Sequence, residues 1–321
     1  MNYQPNTFFE APKAKKSSKY RFGLFGIPWD ANSTHLKGSP RATPSALRSL
    51  SYHVSTMTEL SQNIFDFNIG DFGDVSILPS KPQMTESNIK QMLEIVFQGY
   101  NQPKSVIPVM IGGDHYCTYP VIRNLAQIYE KKDQEDFGVL IFDAHLDYYD
   151  AWLGKEENMH CTITKRVANI DNIGPNNTVV FGARDIDTPE LDQAQNDGLY
   201  FVKMHEIDPK GNYSKIEEKI EGVIEHFHNQ GINNLYISID IDVLDGPTAS
   251  GTGYAFPGGL LYRHLWFCLK KVVRDFDVVG FDMVEVAPDL DTPSKLTQNT
   301  AIKLIVELMS FIYMKQNGIN F

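Results

Sequence analysis

Cysteine is scarce in this 321-residue chain, and its cysteines form no recognisable metal-binding or redox pattern. The three are Cys117, Cys161 and Cys268, with no CxxC pair among them. Such a set argues against a disulfide framework and against a structural zinc site. The first 20 residues also lack the apolar segment of a secretory signal. We therefore expect a protein of a reducing compartment, the cytoplasm.

Positive charge is also in short supply, because 29 basic residues face 40 acidic ones, for a net charge of −11 at pH 7. This balance argues against a nucleic-acid or anionic-membrane partner and suits a small cationic substrate. No apolar run approaches the roughly 18 residues of a membrane span. The phosphate-binding patterns GxGxxG and GxxxxGK[ST] are absent as well, which disfavours a nucleotide enzyme.

What the chain does have is a regular alternation of short apolar runs and helical patterns, which is typical of βαβ units around a parallel sheet. The runs are continuously apolar, as expected for strands that helices cover on both faces. Strands are predicted over residues 22–26, 106–111, 139–142, 178–181, 199–202, 235–239 and 278–283. Helices are predicted over residues 213–230 and 299–315 from apolar side chains at helical spacing.

The domain organisation predicted from the sequence is simple. No repeat, low-complexity tract or composition break marks a linker, so residues 21–321 are expected to form a single domain. Residues 1–20 are predicted to be an N-terminal arm, either a frayed terminus or a segment that packs on a neighbouring subunit. Two long loops, 147–160 and 244–260, are expected to be functional.

Ligand-type side chains follow three of the predicted strands, where a parallel α/β sheet places its active site. They are His115 after a Gly-Gly turn, Asp143, His145 and Asp147 after the next strand, and Asp240 and Asp242 after a third. Residues spaced by two share a face of an extended chain, so we expect these groups to converge.

Four carboxylates in one crevice would repel one another, and several would be protonated unless cations compensated them. Two divalent ions about 3.5–4 Å apart match four carboxylates and two neutral imidazoles, with a carboxylate as a bridge. An oxygen-rich set without thiolates favours manganese over structural zinc. A bound water whose pKa is lowered towards about 7 would then supply the nucleophile.

Three motifs resemble the metal-binding signatures of the ureohydrolase family, which includes arginase and agmatinase. They are Gly-Gly-Asp-His at 112–115, Asp-Ala-His-x-Asp at 143–147 and Ser-Ile-Asp-Ile-Asp-x-x-Asp at 238–245, in the family's order. Weaker matches extend the resemblance over nearly the whole chain, at residues 26–30, 70–74, 182–184, 251–253 and 284–288. The chain is thus identified as a ureohydrolase, most similar to agmatinase.

The resemblance implies an arginase-like three-layer α/β/α sandwich with a mostly parallel central sheet, and a centre of two Mn²⁺ ions. Ni²⁺ and Co²⁺ are the other metals considered. One ion would be held by His115, Asp143, Asp147 and Asp240. The other would be held by Asp143, His145, Asp240 and Asp242, so that Asp143 and Asp240 bridge the two ions.

The resemblance also implies roles for residues beside the metals. His160 is similar in position to the histidine that passes a proton to the leaving amine, although the sequence alone allows it to be a helix-start residue. Glu285 resembles the glutamate that pairs with the substrate guanidinium through two parallel hydrogen bonds. Asp114 is expected to orient His115 through its ring or through the adjacent loop. The implied reaction is attack of a hydroxide that bridges the ions on the guanidinium carbon.

Agmatine is the first expected substrate, with putrescine and urea as products, because Tyr149 stands where arginases carry Asn. Cys161, Gly246, Tyr254 and Ala255 depart from the agmatinase pattern. Guanidinobutyrate, guanidinopropionate, guanidine, arginine and formiminoglutamate therefore stay open as substrates. A binuclear phosphoesterase and a noncatalytic subunit with the ureohydrolase fold are the rival hypotheses. Family members are commonly trimers or hexamers, so a homo-oligomer is expected.

Overall fold

A computed structural model describes residues 7–14, 19–31, 33, 39–98, 105–132, 135–154, 158–208 and 210–321. In this part of the chain, eight strands form a sheet in the order β2-β1-β3-β8-β7-β4-β5-β6. The strands are β1 Phe22–Gly26, β2 Ile69–Asp74, β3 Ile107–Ile111, β4 Gly138–Phe142, β5 Thr178–Ala183, β6 Tyr200–Lys203, β7 Asn234–Asp240 and β8 Asp277–Val284. Neighbouring strands pair in parallel throughout this order.

The α-helices follow the strands in the manner of crossover units. They are α1 Thr43–Ser51, α2 Pro82–Val96, α3 Thr118–Lys131, α4 Ile163–Ala168, α5 Thr188–Asn196, α6 Met204–Ile207, α7 Ile216–Asn229, α8 Tyr262–Asp275 and α9 Leu296–Gln316. Short 3-10 turns include His115–Cys117, His160–Thr162 and Ile241–Val243. None of the helices in the described ranges combines the length and the hydropathy that crossing a bilayer requires.

Two hydrophobic cores lie on opposite faces of the sheet. In β4, Leu140 and Phe142 belong to one core, whereas Val139 and Ile141 belong to the other. Helices α1, α7, α8 and α9 contribute to the first core, and α2, α3, α4 and α5 contribute to the second. Burial on both faces explains why the strands are continuously apolar. The predicted three-layer α/β/α fold is confirmed.

Each predicted strand is present, with ends that differ by at most two residues, but β2 was not predicted as a strand. Its sequence, Ile-Gly-Asp-Phe-Gly-Asp, has glycines and aspartates that β-strands normally disfavour. The strand lies at the sheet edge, where Arg48 donates to Asp71 from Nε at 2.8 Å and from Nη2 at 2.9 Å. A buried ion pair therefore adds to the packing of Ile69 in the first core.

Part of the predicted N-terminal arm packs on its own chain. Phe8 and Phe9 are buried in the first core, and the Phe8 amide donates to Asp71 Oδ2 at 2.9 Å. Residues 1–6 and 15–18 of the arm lie outside the described residues, as do residues 155–157 of the first long loop. The domain boundary at residue 20 stays a prediction.

Candidate metal centre

The predicted site residues follow four strands that are neighbours at the middle of the sheet. His115 follows β3, the residues 143–147 follow β4, and Asp240 ends β7. Glu285 follows β8, which lies between β3 and β7. Because parallel strands share a carboxyl edge, all of these side chains come to one crevice.

The Gly112-Gly113 turn brings His115 to its place. A Cβ atom at Gly113 would lie 1.7 Å from the carbonyl oxygen of Trp29, so only glycine fits this approach. His115 is fully buried, and its Nδ1 lies 3.0 Å from Asp143 Oδ2, 3.1 Å from Asp147 Oδ2 and 3.3 Å from Asp240 Oδ2. These four residues form the first ligand group.

A second ligand group lies beside the first. His145 Nδ1 is 3.2 Å from Asp242 Oδ2 and 3.3 Å from Asp143 Oδ1. Asp143 thus presents one oxygen to each group, which is the placement of a bridging carboxylate. Asp240 presents Oδ2 to the first group, while its Oδ1 accepts the Asp242 amide at 2.9 Å. Its role as a second bridge stays a prediction.

The donor set fits divalent cations. A single ring nitrogen of His115 faces three carboxylates but can donate to only one. His115 Nδ1 and Asp143 Oδ2 are 3.0 Å apart, yet neither makes a hydrogen bond of acceptable geometry within the described residues. The atoms surround a common point instead of pairing with one another. Buried polar groups without partners are costly, and cations would compensate them here.

The close carboxylates shift the pKa values of residues in the crevice. Burial raises the pKa of Asp240 well above its usual range, and Asp242 and Asp143 raise it further. Burial opposes protonation of His115, but Asp143, Asp147 and Asp240 outweigh it and raise the His115 pKa well above its ordinary value. Cations between these groups would relieve the same repulsion.

Ser238 belongs to the third motif but was given no role from the sequence, and Asp282 was not predicted as a site residue. Ser238 Oγ lies 3.1 Å from His115 Nε2 and donates to Asp282 Oδ1 at 2.6 Å, while Tyr236 donates to Asp282 Oδ2 at 2.7 Å. Ser238 therefore faces the second ring nitrogen of His115, and the role of Asp114 stays a prediction. Such partners fix the ring of a metal-binding histidine. A charged residue inside the apolar run of β8 was the available signal.

The path of residues 143–147 differs from the extended chain that was predicted. Strand β4 ends at Phe142, and Asp147 has a left-handed backbone with φ of 50°. The His145 amide donates to Asp143 Oδ1 at 2.7 Å, which closes a tight turn. The three side chains thus converge because the chain turns. The prediction that they share one face of an extended chain is wrong.

A cavity of about 150 Å³ opens beside the two ligand groups. Its lining residues are His145, Asp147, Tyr149, Trp152, His160, Cys161, Asp185, Ile186, Asp187, Glu190, Asp240, Asp242, Tyr254 and Glu285. Acidic and aromatic side chains dominate this wall, which suits a small cationic ligand. Burial raises the pKa of Glu190 to about 7.

His160 and Glu285 meet in this cavity. His160 Nδ1 lies 3.4 Å from Glu285 Oε1, which also accepts the His115 amide at 2.8 Å. Glu285 has a φ of 61°, a left-handed conformation that costs energy in a non-glycine residue. His160 also begins the 3-10 turn His160–Thr162, as a helix-start residue would, and its role in proton transfer stays a prediction.

Two residues that depart from the expected pattern line the cavity. The ring of Tyr254 is parallel to that of His160, with centroids 6.2 Å apart, and edge-on to that of His145 at 5.7 Å. Burial raises the pKa of the Cys161 thiol well above its usual value, which disfavours the thiolate form.

The model of the Arginase family matches residues 20–310. This chain belongs to the arginase family. It is 30% identical to an agmatinase of Bacillus subtilis, covering 89% of this chain and 90% of the relative. It is 29% identical to a guanidinopropionase of Pseudomonas aeruginosa, over 89% and 85% of the two chains. The solved structure of proclavaminate amidino hydrolase from Streptomyces clavuligerus has a TM-score of 0.80 at 28% identity, covering 97% of each chain.

Membership of this family makes the chain a hydrolase of the ureohydrolase type, with an agmatinase-like sequence. Two sets of side chains, His115 with Asp143 and Asp147, and His145 with Asp143 and Asp242, could each hold a metal ion.

Proposed function

We propose that this ureohydrolase releases urea from a guanidinium compound, with agmatine as the first substrate and putrescine as the other product. The observation that carries the proposal is the pair of histidine–aspartate groups at the inner end of an acidic cavity. Three curated relatives point to the same substrate class: agmatinase, guanidinopropionase and N(1)-aminopropylagmatine ureohydrolase. Each of the three enzyme names refers to a substrate that carries a guanidino group.

The metal assignment follows the ligand groups. His115, Asp143, Asp147 and Asp240 would hold one Mn²⁺, and Asp143, His145, Asp240 and Asp242 would hold the other. When bound, such a pair supplies Lewis acidity and lowers the pKa of water towards about 7. The oxygen-rich ligand set supports manganese, with nickel and cobalt as the other candidates.

The chain's own residues orient the substrate and move the proton. Glu285 would pair with the planar guanidinium and aim its central carbon at the metal centre. His160, 3.4 Å from Glu285 Oε1, would donate a proton to the leaving nitrogen. The carboxylates of Asp185 and Asp187 at the cavity wall would attract the cationic substrate.

A urea-release screen tests the proposal. The substrates are agmatine, arginine, guanidinobutyrate, guanidinopropionate and guanidine, with ammonia or formamide release measured for formiminoglutamate. We expect manganese-dependent urea release, fastest with agmatine, and loss of activity and of bound metal in Asp240→Ala. Full activity in Asp240→Ala would contradict the metal assignment. Two bound ions without any turnover would identify the chain as a noncatalytic subunit.

Assembly and location belong to the same proposal. We expect a homo-oligomer, a trimer or a hexamer, which light scattering after size-exclusion chromatography would measure. A cytoplasmic location stays a prediction, and fractionation of the cells that make the protein tests it.

A further inference from the structure

Arg184 contacts the turn that carries Asp242 and the loop 244–260 that follows it. Its Nη2 donates to the carbonyl oxygens of Asp242 at 2.7 Å, Leu244 at 3.1 Å and Phe256 at 3.1 Å. Its Nη1 donates to the Val243 carbonyl at 3.4 Å. Asp242 and Val243 belong to the turn after β7. Leu244 and Phe256 belong to the loop 244–260, which also carries Tyr254. One side chain therefore contacts both the metal-ligand turn and the loop that carries Tyr254, a residue of the cavity wall.

The loop 244–260 has no helix or strand of its own to hold it. Phe256 O accepts the Gly246 amide at 3.0 Å in addition to Arg184. At the loop's base, Asp245 accepts the Gly258 amide at 2.5 Å. The shared carbonyl of Phe256 is thus the point at which the loop, its base and Arg184 meet.

The wall that this loop carries is aromatic. Tyr254 stacks on Phe256, with centroids 6.3 Å apart, and its ring is parallel to that of His160 and edge-on to that of His145. A shift of Phe256 would therefore move Tyr254 relative to both histidines. Because arginine presents a rigid planar fork of donors, it transmits a change in one loop to the other better than a flexible lysine would.

We propose that Arg184 couples metal occupancy to the order of the cavity wall, so that a loaded centre is the form in which Tyr254 is fixed against the substrate. This inference rests on the proposed metal centre. Ions bound to the Asp242 carboxylate would also hold the Asp242 carbonyl in place. That carbonyl accepts from Arg184, and Arg184 in turn donates to the carbonyl of Phe256. By linkage, a substrate that orders the wall would bind more tightly when the metal is bound, and the metal would bind more tightly when the substrate is bound.

Hydrogen exchange of the unaltered protein and of Arg184→Lys, each with and without saturating Mn²⁺, tests the coupling. In the unaltered protein, manganese should slow exchange in residues 244–260 by about tenfold or more, which is about 1.4 kcal/mol of local stabilisation. In Arg184→Lys this slowing should be lost, while the turn 240–243 is still protected. Arg123→Lys is the matched control, because Arg123 pairs with Glu86 outside the cavity, at 2.9 Å.

Calorimetry of manganese binding separates the outcomes. Binding without any slowing in residues 244–260 of the unaltered protein would overturn this inference alone, even if Arg184→Lys failed to fold. Full slowing in a folded Arg184→Lys would overturn it too. No manganese binding to the unaltered protein would overturn both this inference and the proposed function.

Discussion

Gly113 sets the distance between the turn after β3 and the backbone of Trp29. A Cβ atom there would lie 1.7 Å from a carbonyl oxygen, a position that no side-chain rotation relieves. We expect Gly113→Ala to lower the free energy of unfolding by about 3 kcal/mol, at the upper end for overpacking, and to displace His115. Denaturant unfolding and manganese calorimetry would measure both effects.

The matched control is Gly222→Ala in α7, where the nearest atom to the added carbon would be Tyr200 Oη at 3.5 Å. This change should stabilise the helix by about 0.5–1 kcal/mol. Equal effects of the two substitutions would contradict the steric argument.

Ser238 determines which way the His115 ring faces, because it joins Nε2 of that ring to Asp282. Ser238→Ala should weaken manganese binding by about 10- to 100-fold, the usual effect of losing such a partner. Calorimetry at fixed pH measures the change. Ser310→Ala, a buried serine that contacts Thr58 and Met314, should leave manganese affinity unchanged. A similar loss in both variants would indicate general destabilisation instead.

The residues of the site differ in how far the sequence could reveal them. The ligands were predictable because each belongs to a short motif after an apolar run. Ser238 touches His115 across 123 positions of the chain, so only the folded sheet brings the pair together. The left-handed backbone of Asp147 was equally hidden, since aspartate carries no requirement for it.

Among the elements, the loop 244–260 contributes Tyr254 to the wall of the cavity. Tyr254→Thr should widen the cavity and raise kcat/KM for bulkier guanidino compounds relative to guanidine, by about 10- to 200-fold. Tyr254→Phe keeps the ring and should keep the selectivity. Parallel urea assays of both variants measure this, and unchanged selectivity in Tyr254→Thr would show that the ring does not select substrates.

The strands differ in how far their sequences predicted them. Strands β3, β4 and β7 are buried on both faces, so an apolar run sufficed to predict each one. Strand β2 lies at an edge and is stabilised by Arg48 and the buried Asp71, which no local pattern indicates. Edge strands that depend on distant ion pairs are therefore the ones that sequence patterns miss.

At the scale of the whole molecule, the two hydrophobic cores stabilise a sheet whose carboxyl edge carries a concentrated negative charge. The buried carboxylates of Asp143, Asp147, Asp240 and Asp242 oppose folding unless cations accompany them. Apolar packing in the two cores offsets the free-energy cost of these buried carboxylates. The net charge of −11 adds to the repulsion.

Metal removal should therefore lower the stability of the entire domain. Treatment with EDTA should reduce Tm, and Mn²⁺ at about 100 times its Kd should restore about 2.7 kcal/mol per site, a shift of at least about 3 °C. Differential scanning calorimetry measures the shift. Mg²⁺ should restore less, because two imidazole ligands favour a transition metal. In Asp240→Ala the manganese-dependent shift should shrink, and a shift of unchanged size would mean that the ions stabilise the protein from some other site.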